Sequence, residues 1–232
     1  MSTPGKQSDS HPLDRPVWQA LTGRQGNVAI TCGKARRFDP AYGPFAAAID
    51  ESEPALRDLA LLAAEDEIWL LEKNPPLAIP GLTLLKRADC MQMVARTITP
   101  APCRFHIAEL GADDAQEMLA LATMTQPGPF RPRTHALGPF IGIRDEGRLV
   151  AMAGERTQPA EYVEVSGVCT HPDHRGRGYA GFLMREVAAR ILARGTTPFL
   201  HCYATNTGAI ALYRSLGFTP FQTVTSAVFA TT

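Results

Sequence analysis

The chain has 232 residues, an apolar fraction of 45%, and equal numbers of basic and acidic residues, 23 of each. This composition is typical of a globular protein, and the balanced charge excludes a general electrostatic attraction to nucleic acid or to an anionic membrane. The apolar runs are far shorter than the ~20 residues of a transmembrane helix, and the polar first dozen residues do not resemble a signal peptide, so we expect a cytoplasmic protein.

The front part of the chain gives only general signals. Residues 1–15 are predicted to be a disordered tail. Residues 16–103 are predicted to be an α/β region of unknown role, with strands at NVAIT and EIWLLE and a helix over 54–64 that Ser52 could cap. Residues 91–96 fit either a helix or a strand. The Pro-containing segment 96–105 predicts a domain boundary near residue 103. The front region could supply walls to a pocket, or it could be a degenerate second copy of the rear domain.

The rear part, residues 104–232, has a more regular pattern. A strand at RFHIAEL precedes a helix over 113–123 and a Pro-rich loop, TQPGPFRPRTHALGP. Two apolar runs, FIGIRD and RLVAMAGERT, are joined by Glu-Gly and predict a hairpin, and EYVEVSGVCT predicts a third strand. A helix over 180–193, a strand at TPFLHCYA, a short helix at TGAIALYRSL and one or two final strands complete a mixed sheet with helices on its faces.

The loop THPDHRGRGYAG, residues 170–181, contains both G-x-G-x-x-G and R-x-x-G-x-A. A dinucleotide site requires an acidic residue ~20 positions after its glycines, but no Asp or Glu follows Glu186. We therefore favour a different phosphate cradle, in which Gly176 and Gly178 let a phosphate approach the N–H groups at the start of the next helix. Five arginines between His171 and Arg194 supply local positive charge.

The segments VSGVCTHPDHRGRGYAGFLMREV and NTGAIALYRSLGF resemble the GNAT superfamily of acyl-CoA-dependent N-acetyltransferases, over roughly residues 105–230. The resemblance implies an α/β fold with a mixed, mostly antiparallel sheet that is splayed between its fourth and fifth strands and flanked by helices. The front region would then be an N-terminal α/β extension. The resemblance also implies acetyl-CoA as co-substrate, with its pantetheine arm in the splay. The cofactor-binding residues would be Val168, Cys169, Thr170, Arg175, Gly176, Arg177, Gly178, Tyr179, Ala180, Gly181 and Asn206.

Acetyl transfer from a thioester to an amine needs a base, donors for the oxyanion and an acid for the departing thiolate. The resemblance assigns the acid to Tyr213, which could instead be an ordinary core aromatic. Glu164 interrupts an apolar strand eleven residues before Arg175, where histone-acetylating members carry a base, and we predict that it is the base. A solvent-facing strand position is the alternative for Glu164, and Glu155, Glu161 or a water chain could serve as base instead.

Two further constellations are weaker. Cys169 and His171 could form a nucleophile and its base, but the family that the chain resembles transfers the acetyl group directly to the amine. His171, His174 and Asp173 could suggest a metal site, yet three potential ligands in one loop without a partner elsewhere favour no metal. The five cysteines are odd in number and never spaced C-x-x-C, which argues against a disulfide framework and a zinc site.

The predicted function is that of an acyl-CoA-dependent N-acyltransferase, which transfers acetyl from acetyl-CoA to a primary amine by direct attack on the thioester. Phe130, Arg131 and Arg133 of the Pro-rich loop are candidates for contacts with the acceptor, a small molecule or a peptide. An arginine there favours an acceptor with a carboxylate. The alternative is a catalytically silent module that senses acyl-CoA or binds a protein. The sequence leaves the oligomeric state open.

Overall fold

The computed structural model describes residues 11–63, 66–100, 102 and 104–231. The helices of this part of the chain are α1 (Pro16–Thr22), α2 (Glu53–Leu61), α3 (Ala115–Thr125), α4 (Tyr179–Ala193) and α5 (Thr207–Leu216). The strands are β1 (Ala29–Cys32), β2 (Ala35–Phe38), β3 (Ala46–Ala48), β4 (Ile68–Glu72), β5 (Thr83–Val94), β6 (Ala108–Leu110), β7 (Phe140–Asp145), β8 (Arg148–Glu155), β9 (Tyr162–Thr170), β10 (Thr197–Tyr203) and β11 (Thr219–Ala230). The expected mixed sheet with flanking helices is confirmed.

The main sheet joins strands from both parts of the chain. Its order is β4-β11-β5-β10-β9-β8-β7-β6, while β1, β2 and β3 form a separate small sheet. Strand β5 from the front part lies between β10 and β11 and is antiparallel to both. Residue 103 itself lies outside the described residues, but the division predicted near it does not separate two sheets, because strands from either side of it pair with each other.

The predicted splay lies between β9 and β10. These two strands are parallel and pair only at their first residues, from Thr197 with Tyr162 to Phe199 with Glu164. Beyond that point β10 pairs with β5 as far as Tyr203, whereas β9 continues along β8 as far as Thr170. The facing edges of β9 and β10 therefore diverge, and a gap opens toward the ends of both strands.

Helices α4 and α5 frame this gap. Leu183, Val187 and Ile191 of α4, which the sequence places on one face, are all buried in the core beside β8 and β9. Asn206 caps the start of helix α5, because its side chain accepts a hydrogen bond from the backbone of the helix, and Gly217, with a φ of 110°, caps the end. The predicted cofactor residues Gly178 and Asn206 are the residues that precede the first turns of these two helices.

Helix α1 and strand β2 of the front region pack on the face of the sheet opposite helix α4. Val17 and Leu21 of α1 and Phe38 of β2 form a buried cluster with Leu71 of β4 and Val224 of β11. Burial of these apolar side chains, which come from the front region and from the sheet, attaches the front region to β4 and β11.

Some expected elements differ in extent. Residues 11–15 of the predicted tail are ordered, because Leu13 is fully buried and Arg15 pairs with Glu72; residues 1–10 lie outside the described part. The ambiguous residues 91–96 belong largely to the end of β5, and the last segment is the single strand β11. Ser52 stands at the start of α2 but makes no side-chain capping hydrogen bond. Among the described helices, none has the length and apolar character needed to cross a membrane.

Candidate active site

The loop between β9 and α4 has the geometry of a phosphate cradle. After a short 3-10 turn over Pro172–His174, the φ angles of Gly176 and Gly178 are 78° and 83°, in the left-handed region that favours glycine. A Cβ atom at either glycine would meet nothing within 4 Å, so both positions face open space. Helix α4 begins at the next residue, and its first N–H groups have no partner within the helix.

A cavity of about 630 Å³ extends from this loop along β9. Its lining includes Val168, Cys169, Thr170, Arg175, Gly176, Gly178, Tyr179, Ala180 and Gly181. Within the described residues, Oγ1 of Thr170 is buried without a hydrogen-bond partner, and Arg175 and Arg185 add positive charge to the lining. These features fit the phosphates and amide groups of coenzyme A. Of the other predicted cofactor residues, Arg177 points to Asp145, with Nη1 3.7 Å from Oδ2.

A second cavity, of about 800 Å³, adjoins the first and shares Val168 and Pro127 with it. Phe130 and Arg131 of the Pro-rich loop line this second cavity, which we call the acceptor cavity. Asn206 also lines it, rather than the first cavity. Val168, which both cavities share, lies on β9 beyond the last residue that pairs with β10, on the strand that borders the gap.

The Pro-rich loop, residues 125–139, which we call the acceptor loop, contacts the front region through Arg133 and Thr134. The guanidinium of Arg133 lies over the Tyr42 ring at 4.6 Å from its centroid, and Arg133 is not part of the cavity lining. Thr134 donates its hydroxyl to the backbone oxygen of Tyr42 at 2.7 Å. Arg133 therefore anchors the loop, and its predicted contact with the acceptor is not supported by this placement.

The front region supplies a large part of the acceptor cavity. Its lining residues are Pro44, Phe45, Glu67, Trp69, Leu71, Lys86 and Cys90. The indole Nε1 of Trp69 donates to Oε1 of Glu67 at 2.8 Å, and the Trp69 ring packs edge-on to Phe45. These residues place part of the front region in the lining of a pocket, which is one of the two roles considered for it. Sequence reasoning named none of these residues, because nothing local indicates which loop a distant strand faces.

Tyr213 is half-buried on α5 and lines the acceptor cavity. Burial, with a smaller contribution from the neighbouring Cys202, raises the pKa of Tyr213 to about 12. The phenol therefore stays protonated across the working range of most enzymes and holds a proton that it can donate. Asn206 both caps a helix and lines the acceptor cavity. Its Oδ1 accepts a hydrogen bond from the Ala209 N–H at 3.1 Å, and the residue is part of the cavity lining.

Glu164 is fully buried. It therefore does not occupy a solvent-facing strand position, and its carboxylate does not contact bulk water. Its carboxylate accepts from Nε and Nη2 of Arg156 at 3.0 and 2.8 Å, from the Thr157 N–H at 3.3 Å, and from Nδ1 of His201 at 2.8 Å. Burial alone would raise the pKa of Glu164, but Arg156 and His201 hold it well below its usual range. This geometry does not favour the predicted role as base, because the carboxylate has four donors and little affinity for a proton.

His201 lines the acceptor cavity, yet both of its ring nitrogens are engaged. Nδ1 contacts Glu164, and Nε2 lies 2.9 Å from Nε2 of Gln92, which also donates to the Leu13 carbonyl. Because Gln92 must donate, Nε2 of His201 accepts and the proton is assigned to Nδ1. Sequence reasoning missed Arg156 and His201; a carboxylate in an apolar strand was the signal that buried partners were needed.

Comparisons with known proteins agree with this geometry. A family model described as FR47-like protein matches residues 140–226. A solved structure from Novosphingobium aromaticivorans, assigned to the GNAT family of acetyltransferases, is 47% identical, covers 96% of this chain and 100% of its own, and superposes with a TM-score of 0.90. The chain belongs to the GNAT family.

Other GNAT relatives are more distant. N-alpha-acetyltransferase RimI from Mycobacterium tuberculosis is 41% identical over 83 residues, which is 34% of this chain. The match covers 51% of that protein, so this chain spans about half the length of the curated relative that it matches. A GCN5-related N-acetyltransferase-like protein from Streptococcus suis is 16% identical over 92% of each chain with a TM-score of 0.59, which shows a shared fold.

Three further residues were considered for catalysis from the sequence: Glu155 and Glu161 as base and Cys169 as nucleophile. Glu155 is buried and pairs with Arg194, while Glu161 is exposed and lines neither cavity. Burial raises the pKa of Cys169 to about 11, which keeps its thiol protonated and does not favour a nucleophile.

One ring nitrogen of each loop histidine has a partner within the fold, while Nδ1 of His174 is buried without a partner among the described residues. Nδ1 of His171 accepts from the Asp173 N–H at 3.3 Å, and Nε2 of His174 lies 3.0 Å from Oδ2 of Asp145. In the part of the chain that the structure describes, no group of three or more His, Cys, Asp or Glu side chains could hold a metal ion.

Proposed function

We propose that this GNAT protein transfers acetyl from acetyl-CoA to a primary amine by direct attack on the thioester. The observation that carries the proposal is a pair of cavities that both have Val168 in their linings, one lined by the glycine cradle and the other by Tyr213. Bound acetyl-CoA supplies an activated acyl group on a thiolate leaving group. The enzyme classes named for the relatives support the same activity.

The roles of this chain's residues follow from their positions. The N–H groups from Gly176 to Gly181 would hold the pyrophosphate at the start of α4, where the helix dipole favours an anion. The free edge of β9 at Val168 and Thr170 would pair with the pantetheine amides. Tyr213, which is protonated and lines the acceptor cavity, would give its proton to the departing thiolate.

We propose water in the acceptor cavity, rather than Glu164, as the group that removes the proton from the attacking amine. The four donors on Glu164 and the two engaged nitrogens of His201 support this choice. We further propose a cytoplasmic location, in keeping with the free cysteines at 32, 90, 169 and 202. The acceptor is a small molecule or a peptide.

The test is the release of free CoA from acetyl-CoA in the presence of a pooled library of primary amines. Release that depends on an amine supports the transferase. A catalytically silent module, the alternative function, would bind acetyl-CoA tightly and release none. The measurement should be accompanied by mass spectrometry of the amines, because acetylated product excludes simple hydrolysis of the thioester.

A further inference from the structure

The floor of the acceptor cavity contains a buried arginine whose side chain is fixed on two sides. Arg156 follows the last residue of β8, is 8% exposed, and lines the cavity. Its Nε and Nη2 donate to Glu164, and its guanidinium lies over the Phe45 ring at 4.7 Å from the centroid. A cation held by a carboxylate at its edge and by an aromatic ring at its face has lost most of its rotational freedom.

The fixed guanidinium still has donors to offer. Of its five N–H groups, Glu164 takes one from Nε and one from Nη2, which leaves both on Nη1 and the second on Nη2. Among the described residues Nη1 has no hydrogen-bond partner, and it is not enclosed. Because Arg156 lines the cavity, we infer that Nη1 is the edge of the guanidinium that faces it. An oxygen acceptor entering the cavity would meet a pre-oriented pair of donors.

The other cations of the cavity are built differently. Arg131 is 37% exposed and its Nη2 is tied to Asp66 at 3.2 Å. Lys86 is exposed and donates to the Tyr203 hydroxyl at 3.1 Å. Arg156 alone among these three is buried, and it lies beside His201 on the sheet face next to the splay, where the attacking amine must arrive.

We propose that Arg156 binds a carboxylate of the acceptor through its free Nη1 edge, so that the acceptor is an amino acid or a short peptide with a free carboxylate. Glu164 is then a positioning residue that holds the fork of Arg156 in place. Planar guanidinium and carboxylate groups match in geometry, and the burial of Arg156 strengthens the hydrogen bonds between them. This inference rests on the proposed function, since it names the acceptor class of the same site.

The test is acceptor binding, measured by isothermal titration calorimetry on the CoA-loaded protein without turnover. The probes are three matched pairs: glycine and glycinamide, L-phenylalanine and its amide, and Ala-Ala-Phe and its C-terminal amide. For at least one pair we expect the acid to bind roughly 10- to 100-fold more tightly than the amide, and the preference to disappear in Arg156→Met. Loss of all CoA release with intact acid binding would contradict the proposed function and leave the acceptor assignment standing.

Two variants guard against a trivial loss of folding. Arg156→Met leaves Glu164 buried without its cation, so the double variant Arg156→Met, Glu164→Gln removes both charges and should recover the fold but not the preference. Arg190→Met removes an ion-paired arginine on α4 that lines neither cavity, and it should keep the preference. Equal binding of acid and amide in every pair, no binding by any acid, or a preference that survives in the double variant would overturn the proposal.

Discussion

The hydroxyl of Thr134 donates to the backbone oxygen of Tyr42 at 2.7 Å and accepts from the Arg131 N–H at the same distance. One buried side chain thus joins the acceptor loop to the front region and shapes the loop at the residue that lines the cavity. The front region is therefore part of the acceptor site, both as wall and as the anchor of the loop opposite.

Replacing this hydroxyl tests the anchor. Thr134→Val leaves the Tyr42 oxygen and the Arg131 N–H without their partner, and we expect the free energy of unfolding to fall by about 1–3 kcal/mol. Urea denaturation measures the change, and the KM of the acceptor should rise while the affinity for CoA is kept. Thr31→Val, on an exposed strand position, is the matched control and should change stability by less than about 0.5 kcal/mol.

The glycine cradle offers a matched pair of left-handed positions. Gly178 and Gly147 have φ angles of 83° and 82°, and a Cβ at either would meet nothing within 4 Å. Gly178→Ala and Gly147→Ala should therefore each lose about 1–2 kcal/mol of stability. Only Gly178→Ala should lose the stabilisation by CoA, which amounts to about 2.7 kcal/mol at a hundred times the Kd. A normal CoA shift for Gly178→Ala in thermal melts would argue against the cradle.

Tyr213→Phe removes the proposed acid without removing the ring. We expect kcat to fall by roughly 100-fold or more while CoA binding is unchanged. Because the pKa of Tyr213 is about 12, the acid form is lost only as the pH rises through that value, so wild-type kcat should show no decline from this group between pH ~7 and ~10. Steady-state kinetics of Tyr213→Phe beside Tyr42→Phe separates a lost acid from a lost hydroxyl elsewhere; equal kcat values would remove Tyr213 from the chemistry.

The buried carboxylate predicts a pH-dependent stability. The lowered pKa of Glu164 means that its ionised form contributes stability above the unfolded pKa, ~4.3, and that this contribution is lost as the pH falls through the lower folded pKa. Glu164→Gln should be about 3–5 kcal/mol less stable than wild type at neutral pH, because Arg156 is left buried without its counter-charge.

That difference should narrow below pH ~4, since the wild-type carboxylate then loses its advantage over the neutral amide. Urea denaturation at pH ~7 and ~3.5 measures it, with the exposed Glu161→Gln as control. A gap that is constant with pH would show that Glu164 is not held ionised by the fold.

Local signals in the sequence were sufficient for several elements of the fold. The hairpin of β7 and β8 turns at Glu146 and Gly147, whose φ angles are both positive, as the Glu-Gly pair indicated. The spacing of Leu183 and Val187 placed the buried face of α4 correctly. In each case neighbouring residues alone decide the conformation.

The elements that were missed depend on distant partners. Strand β5 has exposed residues along its first half and no alternation, so its own sequence gives no clear strand pattern. Its partners are β11 along its whole length and β10 over residues 90–94, and both lie far away in the sequence. Likewise, the sequence indicated that Glu164 needed an explanation but not that Arg156 and His201 would provide it. Arg156 contacts Glu164 across the connection between β8 and β9, and His201 contacts it from β10. No short window of sequence contains all three residues.

The place of β5 also sets the order in which the molecule can assemble. Residues 83–94 leave the ribosome long before 197–203 and 219–230, yet these later segments supply both of their neighbours in the sheet. Strand β5 can therefore pair first with β10 and only afterwards with β11, so it has neither neighbour when it is first synthesised. Such pairing between distant segments slows folding, and it makes the part of the acceptor cavity that β5 supplies depend on segments that are synthesised after it.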